Sequence, residues 1–286
     1  MKKILPYTLL ALLILVYTAL IPTFTQYNNN NLKIQKLGYT PGGKFLQRLL
    51  GEYRWFVGEY LTFKSIVYYG NRTDDVLKGR IKDIEYYNLF VTLETATLLN
   101  PYHEDTYYFV QATFPWDIGR VKEAISVLKY SFTYRQWDYQ IPFFIGFDYA
   151  YFLKDYKNAA VYFAKASELT GSPLYIGLTS RFMYESGDTE MAINYIKIVL
   201  KSEKNKENRY QLEVRLLALE NILRIERAIF NYKKDHNKIP EDINILVKLG
   251  YLSDIPQDPY GGKFYIDERG KVRSTSKLAF LNKNSV

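Results

Sequence analysis

The sequence predicts a mostly α protein, made of an apolar N-terminal helix, a stack of helix pairs and a small C-terminal module of helix plus β-hairpin. Three observations predict it. Residues 4–24 read ILPYTLLALLILVYTALIPTF without a charge. Between Ile81 and Lys201, turn signals recur at Gly119, Asp155 and Gly187, 36 and 32 residues apart, each followed by a helix-periodic stretch. Beyond Asp258, clustered turn residues and short alternating segments replace the helical period.

The apolar run comes first. About 20 apolar residues let a helix cross ~30 Å of hydrocarbon, and Tyr7 and Tyr17 lie toward its ends, where amphipathic rings favour the interface. Lys2 and Lys3 favour a cytoplasmic N-terminus and an exported remainder. A cleaved signal peptide is the competing reading, but TALIPTFTQ lacks an Ala-x-Ala site. We therefore expect a transmembrane anchor over 1–25, then a polar linker over 26–44 containing QYNNNN.

Phe45 to Tyr69 repeats apolar residues at three- and four-residue intervals, predicting an amphipathic helix ended by Gly70-Asn71, with Asp74-Asp75 capping the next. The stretches RVKEAISVLKY, YKNAAVYFAKA and TEMAINYIKIV then carry Ala124, Ala160 and Ala192 at one common offset. A lone helix pair cannot bury its apolar face, so such pairs stack, with small residues where helices approach most closely. The repeat domain is expected over 45–205 and a distinct tail over 206–286.

Composition removes several chemistries. The chain has no Cys, which excludes disulfides, thiolate nucleophiles, zinc–thiolate sites and iron–sulfur clusters. Its two His, His103 and His236, are far apart, against a multi-histidine metal site. Tyr occurs 28 times; an A/T-rich codon bias accounts for most of that, and Tyr also suits wide helix interfaces. The net charge of +8 sits mainly from Lys197 onward, where Lys and Arg outnumber Asp and Glu by 18 to 12. A solvated basic face explains this, with an anionic lipid surface or acidic partner as the alternative.

With those residues in view, 81–201 resembles tetratricopeptide repeats. Ala112 and Ser180 match the small position of the first helix of a pair; Ala124, Ala160 and Ala192 match that of the second; Pro101 and Pro173 lie near the repeat end. Pro115 departs from the pattern by interrupting a first helix, and the spacing drifts between 32 and 36. LLNPYHEDTYYFVQATF and PFFIGFDYAYFLKDYKNAAVYFAKASEL also resemble a bacterial membrane-anchored group of such proteins. In the tail, Tyr232, His236-Asn237-Lys238, Pro240 and Ile255-Pro256-x-Asp258-Pro259-x-Gly261, followed by a hairpin signal at Glu268-Arg269-Gly270, resemble the soluble part of type II secretion pseudopilins over about 218–276. The pilin's own apolar helix and calcium loop have no counterpart here, so only the local fold carries over.

No catalytic constellation is expected. His103-Glu104 stands alone and reads as a helix start; Asp74-Asp75 and Glu241-Asp242 precede apolar runs and read as caps. Gly261-Gly262 has no Lys-Ser/Thr sequel and leads to a strand, against phosphate cradling. Residues 81–196 are near neutral, which with export argues against nucleic-acid binding. We expect no catalytic residue, metal or cofactor.

The resemblance implies that the first helix of each pair lines a groove holding Tyr107, Tyr108, Gln111, Phe143, Phe144, Phe147, Asp148, Tyr151, Tyr175, Thr179 and Arg181. Phe144, Phe147 and Tyr151 fall on large-residue positions; Tyr107, Gln111, Phe144, Asp148 and Arg181 are the candidate groove residues, with Gln111, Asp148 and Arg181 most available to a peptide or partner helix. The expected function is a protein-interaction scaffold held in the bacterial inner membrane by 4–24 and facing the periplasm, serving an envelope assembly, secretion or pilus machine. The alternatives are an envelope enzyme with a carboxylate site and a self-associating structural protein.

Overall fold

The computed structural model describes residues 10, 12–23, 37–79 and 84–278. Residues 12–23 are helical with their apolar side chains exposed. Among the described residues no helix is long and apolar enough to cross a membrane; residues 4–9, 11 and 24 of the expected span lie outside them. The chain is mostly helical with one small antiparallel sheet, and divides into two compact units, Met1–Val110 and Gln111–Val286.

The first unit contains α1 (Gly43–Leu50), a 3₁₀ turn (Gly51–Tyr53), α2 (Arg54–Leu77), α3 (Tyr86–Leu99) and most of α4 (Glu104–Thr113). The expected break at Gly70-Asn71 does not occur: α2 runs through it, so Asp74 and Asp75 lie within a helix. A mid-helix glycine costs about 1 kcal/mol, which the burial of Tyr68, two residues before it, outweighs. Leu61, Ala96 and Leu99 form a core beneath Leu46, Leu50 and Val57. Gly58 lets α2 approach α3 closely, because a Cβ there would lie 3.1 Å from Ala96 O and 3.0 Å from Asn100 Cβ. Thr62 Oγ1 and Thr106 Oγ1, 2.7 Å apart, satisfy each other inside the unit. His103 takes the helix-start position before α4, its Nδ1 2.9 Å from Thr106 Oγ1.

The second unit starts with the end of α4 and a π turn (Phe114–Ile118). It continues through α5 (Val121–Tyr134), α6 (Gln140–Tyr151), α7 (Tyr156–Thr170), α8 (Pro173–Glu185), α9 (Thr189–Ser202), α10 (Lys206–His236) and α11 (Ile243–Lys248), and ends with β1 (Phe264–Ile266) and β2 (Val272–Ser274). From α5 to α10 each helix packs on the next, a helical-repeat packing consistent with an α-solenoid. The turns follow local chemistry: Asp155, Asp188, Asn205 and Asp242 each accept from a backbone N–H in the first turn of the next helix. Ala124, Ala160, Ala192 and Ser180 are all buried where the alternation places small residues, whereas Ala112 is exposed. At Gly146 a Cβ would sit 3.1 Å from the Phe163 ring, so α6 and α7 also cross on a glycine.

The tail is not set apart at 205/206. One hydrophobic core runs from Ile176, Tyr184 and Ile196 through Leu219, Ile222 and Ile225 of α10 to Leu246, Phe264 and Val272. The hairpin forms as expected, pairing Phe264 with Ser274, Tyr265 with Arg273 and Ile266 with Val272, and Gly270 takes the left-handed conformation its turn needs. It is tied to α8 by a charged clamp. Arg273 Nη1 donates to both Glu185 carboxylate oxygens at 2.6 and 2.7 Å; Lys271 Nζ donates to Tyr184 O and Glu185 O at 2.8 Å; the Tyr184 hydroxyl donates to Val272 O. Burial pushes the Glu185 carboxyl up, but Arg273 and Lys271 outweigh it and hold Glu185 below the usual carboxylate range.

Candidate partner-binding surface

The first helices of the pairs do carry a polar and aromatic face, but its exposed part differs from the expected one. In the first unit Tyr107 is fully buried. In the second, Gln111 and Asp148 are buried and pair with each other, Gln111 Nε2 donating to Asp148 Oδ1 at 2.9 Å. These three side chains therefore support the interior instead of facing a partner. The physical reason is that helical period places residues on a face, while the next helix decides whether that face is covered. Phe144 is half-buried, and Arg181, on α8, is exposed.

Asp148 lies on α6 with no exposed surface, and burial pushes its carboxyl up to about 7, against the lowering effect of the Gln111 hydrogen bond. Asp148 Oδ2 and Gln111 Oε1 have no hydrogen-bond partner among the described residues. Both are acceptors when Asp148 is ionised, so a proton on the carboxyl supplies the missing donor.

The same helix, α6, also carries part of an aromatic ledge. Pro115 cannot donate a backbone N–H, and the chain leaves α4 through a π turn closed by left-handed Gly119, whose N–H bonds Phe114 O. The turn projects Trp116, 52% exposed, onto α6, with its ring centroid 5.9 Å from Phe147, 5.5 Å from Tyr151 and 4.9 Å from Phe152. Phe147 stacks on Tyr151 at 5.3 Å, and the chain of rings continues through Phe143 to Tyr175 of α8 at 5.6 Å and from there to Tyr139 at 5.8 Å. Lys154, in a left-handed conformation rare for a non-glycine residue, holds its ammonium 5.2 Å from the Tyr151 ring centroid. Phe143, Phe147, Tyr151 and Tyr175 belong to the expected groove set. Trp116 and Phe152 do not; the interruption of a first helix at Pro115 was the one sequence signal pointing to Trp116.

Among the described residues no group of three or more His, Cys, Asp and Glu side chains is arranged to hold a metal ion. Helix pairs sharing a core with an α+β tail and presenting an aromatic face define the class at the level of architecture. No protein-family model matches the chain, and no curated protein shows significant sequence similarity to it.

Proposed function

We propose that the protein is a membrane-anchored, extracytoplasmic scaffold that binds another protein through the aromatic ledge of its tetratricopeptide-like helix pairs. The observation that carries this reading is the cluster of Trp116, Phe147, Tyr151 and Phe152, partly exposed rings held in fixed mutual geometry by one tight turn, α6 and the residue that follows it. Rigid aromatic groups at a surface lose little side-chain entropy on binding and supply most interface hot spots. The fitting partner is a peptide or helix with apolar side chains, and the Lys154 ammonium at the edge favours an acidic neighbour on it.

Membrane attachment is supported by the charge-free run 4–24 and by a second feature in the first unit. Phe45, Leu49, Tyr53, Phe56, Tyr60 and Phe63 recur at three- and four-residue steps along α1, the 3₁₀ turn and α2 and are all exposed, Tyr53 and Phe56 at 77% and 71%. A run of exposed apolar side chains with Lys44 and Arg48 among them, shortly after an apolar run, fits the boundary between headgroups and acyl chains. Secretion, pilus or surface-assembly machinery is the proposed setting, supported by the resemblance of the tail to pseudopilin soluble parts.

The test joins topology and capture. Alkaline phosphatase fused after Val286 is expected to be active and membrane-bound; an inactive fusion overturns the extracytoplasmic placement. Cross-linking in intact membranes is expected to capture an envelope protein with the wild-type chain and to lose it with Trp116→Ala/Tyr151→Ala. Equal capture by both chains overturns the role of the ledge.

A further inference from the structure

Where α8 and α10 meet the C-terminal loop, a cavity of about 200 Å³ lies between apolar walls from Leu178, Leu212 and Leu278 and polar groups from Arg181, Gln211, Arg215 and Tyr260. Arg215 sets its character. On α10 it falls on the buried stripe of Leu212, Ala218, Leu219 and Ile222, and it is only 6% exposed. Its guanidinium donates to Leu278 O at 2.5 Å, to Gly177 O at 3.1 Å and to Ser180 Oγ at 3.3 Å. All three acceptors are neutral. An arginine does not shed its proton to relieve burial, so the positive charge stays in the interior.

The usual compensation is missing. Among the described residues no carboxylate lies within ion-pair distance of Arg215 or of Arg181, the second guanidinium at the same cavity. The two positive charges oppose each other. Asp258, on the loop that carries Tyr260, is committed elsewhere: its carboxylate accepts from the Ser274 and Ser276 hydroxyls and from Tyr260 N. A buried charge without a counter-ion costs several kcal/mol, and here the charge borders an open volume into which an anion fits.

The walls narrow the anion's chemistry. A phosphate or sulfate would turn some of its oxygens against leucine side chains, leaving them without donors. A carboxylate presents its two oxygens on one side, matching a guanidinium fork, and its carbon substituent on the other. At roughly 30 Å³ per water-sized group, the volume holds about seven such groups. We propose that this cavity is a binding site for a carboxylate bearing a compact aliphatic group, held by Arg215 and Arg181 against Leu178, Leu212 and Leu278. A free branched-chain acid and the C-terminal residue of a peptide share that chemistry. The site rests on the two arginines and does not depend on the aromatic ledge.

Titration calorimetry of the full chain in detergent tests it, with 4-methylpentanoate and N-acetyl-leucine as probes and 4-methylpentanamide, N-acetyl-leucinamide and inorganic phosphate as controls. Dissociation constants on the order of 0.1–1 mM are expected for an acid of this size, with each amide at least about tenfold weaker. Arg181→Gln, at an exposed residue, is expected to weaken acid binding about tenfold with an unchanged melting temperature; Leu178→Trp is expected to abolish it by filling the volume. Binding of 4-methylpentanoate alone supports a small-molecule source, and binding of N-acetyl-leucine supports a peptide C-terminus. The proposal is overturned if a folded wild-type chain binds neither acid, if amides bind as well as acids, or if phosphate competes equally.

Discussion

Gln111 and Asp148 are hydrogen-bonded at 2.9 Å in an interior that leaves Asp148 no exposed surface. One oxygen of each group lacks a donor, and an amide facing a carboxylic acid has complementary donors and acceptors only while the acid keeps its proton. The pair therefore places a protonation equilibrium near neutral pH in the interior beside α6.

That equilibrium has a definite sign. Burial raises the Asp148 carboxyl from 3.8 to about 7 in the folded chain. Its favourable contribution is complete below pH 3.8, declines as pH rises and is lost above about 7. In that window the decline is up to about 1.4 kcal/mol per pH step. Urea unfolding of the full chain between pH 4.5 and 7.5 is expected to show this downward component, and Asp148→Asn, which keeps a donor for Gln111 Oε1, is expected to remove it. An unchanged pH slope in Asp148→Asn would exclude the pairing as its source.

Glu185 is the acid of the clamp that holds the hairpin against α8. Glu185→Gln keeps the volume but leaves Arg273 and Lys271 without their shared charge partner in a largely buried setting. A loss of about 1–3 kcal/mol is expected, concentrated in the tail: the Thr275 amide, which donates to Lys263 O, should exchange faster than amides in α6 and α7. The clamp also has an acid limit. Because Arg273 and Lys271 hold Glu185 below its ordinary value of 4.5 despite burial, its stabilisation is present above that value and lost as pH falls through the lower folded one. Uniform exchange across the second unit in Glu185→Gln would count against a local clamp.

Two glycines test the helix crossings. Gly146→Ala places a methyl 3.1 Å from the Phe163 ring, and Gly58→Ala places one 3.1 Å from Ala96 O. In an isolated helix each change gains about 1 kcal/mol in propensity. The crowding opposes this at both sites, and the backbone carbonyl and backbone amide near Gly58 yield less than the rim of a side-chain ring. We expect Gly58→Ala to lower the melting temperature more than Gly146→Ala. The reverse order would mean that Phe163 has less room to shift than the α2–α3 backbone.

What the sequence disclosed and what it concealed divide along physical lines. Features set within a few residues were legible: the turns at Asp155 and Gly187, the cap at Asp242, the hairpin around Gly270, the buried Ala124, Ala160 and Ala192, and the helix-start role of His103. Features set by distant packing were not. Gln111 and Asp148 looked available because both lie on first helices, and their burial depends on a pairing 37 residues apart in the chain. Arg215 is one of many charges on α10, and only contacts with Gly177, Ser180 and Leu278, up to 63 residues away, make it an interior cation. The division at 205/206 followed the end of the repeat pattern, whereas the core crosses it because α10 gives its buried stripe to both sides.

Gly262 is the most constrained glycine of the tail. A Cβ at this position would lie 2.5 Å from Asp258 Oδ2, 2.6 Å from Ser276 N and 2.9 Å from Ser274 Oγ. Two of those neighbours belong to the network in which Asp258 accepts from the Ser274 and Ser276 hydroxyls, so the methyl of Gly262→Ala must displace the carboxylate that closes the loop onto the hairpin. The third is backbone, which cannot rotate away. We expect Gly262→Ala to cost at least about 2 kcal/mol, read as a lower urea midpoint for the second unit. Adding Asp258→Ala removes one clash and leaves the one with Ser276 N, so the double variant should recover only part of the loss beyond the cost of Asp258→Ala itself. Full recovery would show that the side-chain network alone demands glycine there. No recovery would place the demand on the backbone of Ser276, and the loop would then tolerate no residue larger than glycine at 262, whatever side chain stands at 258.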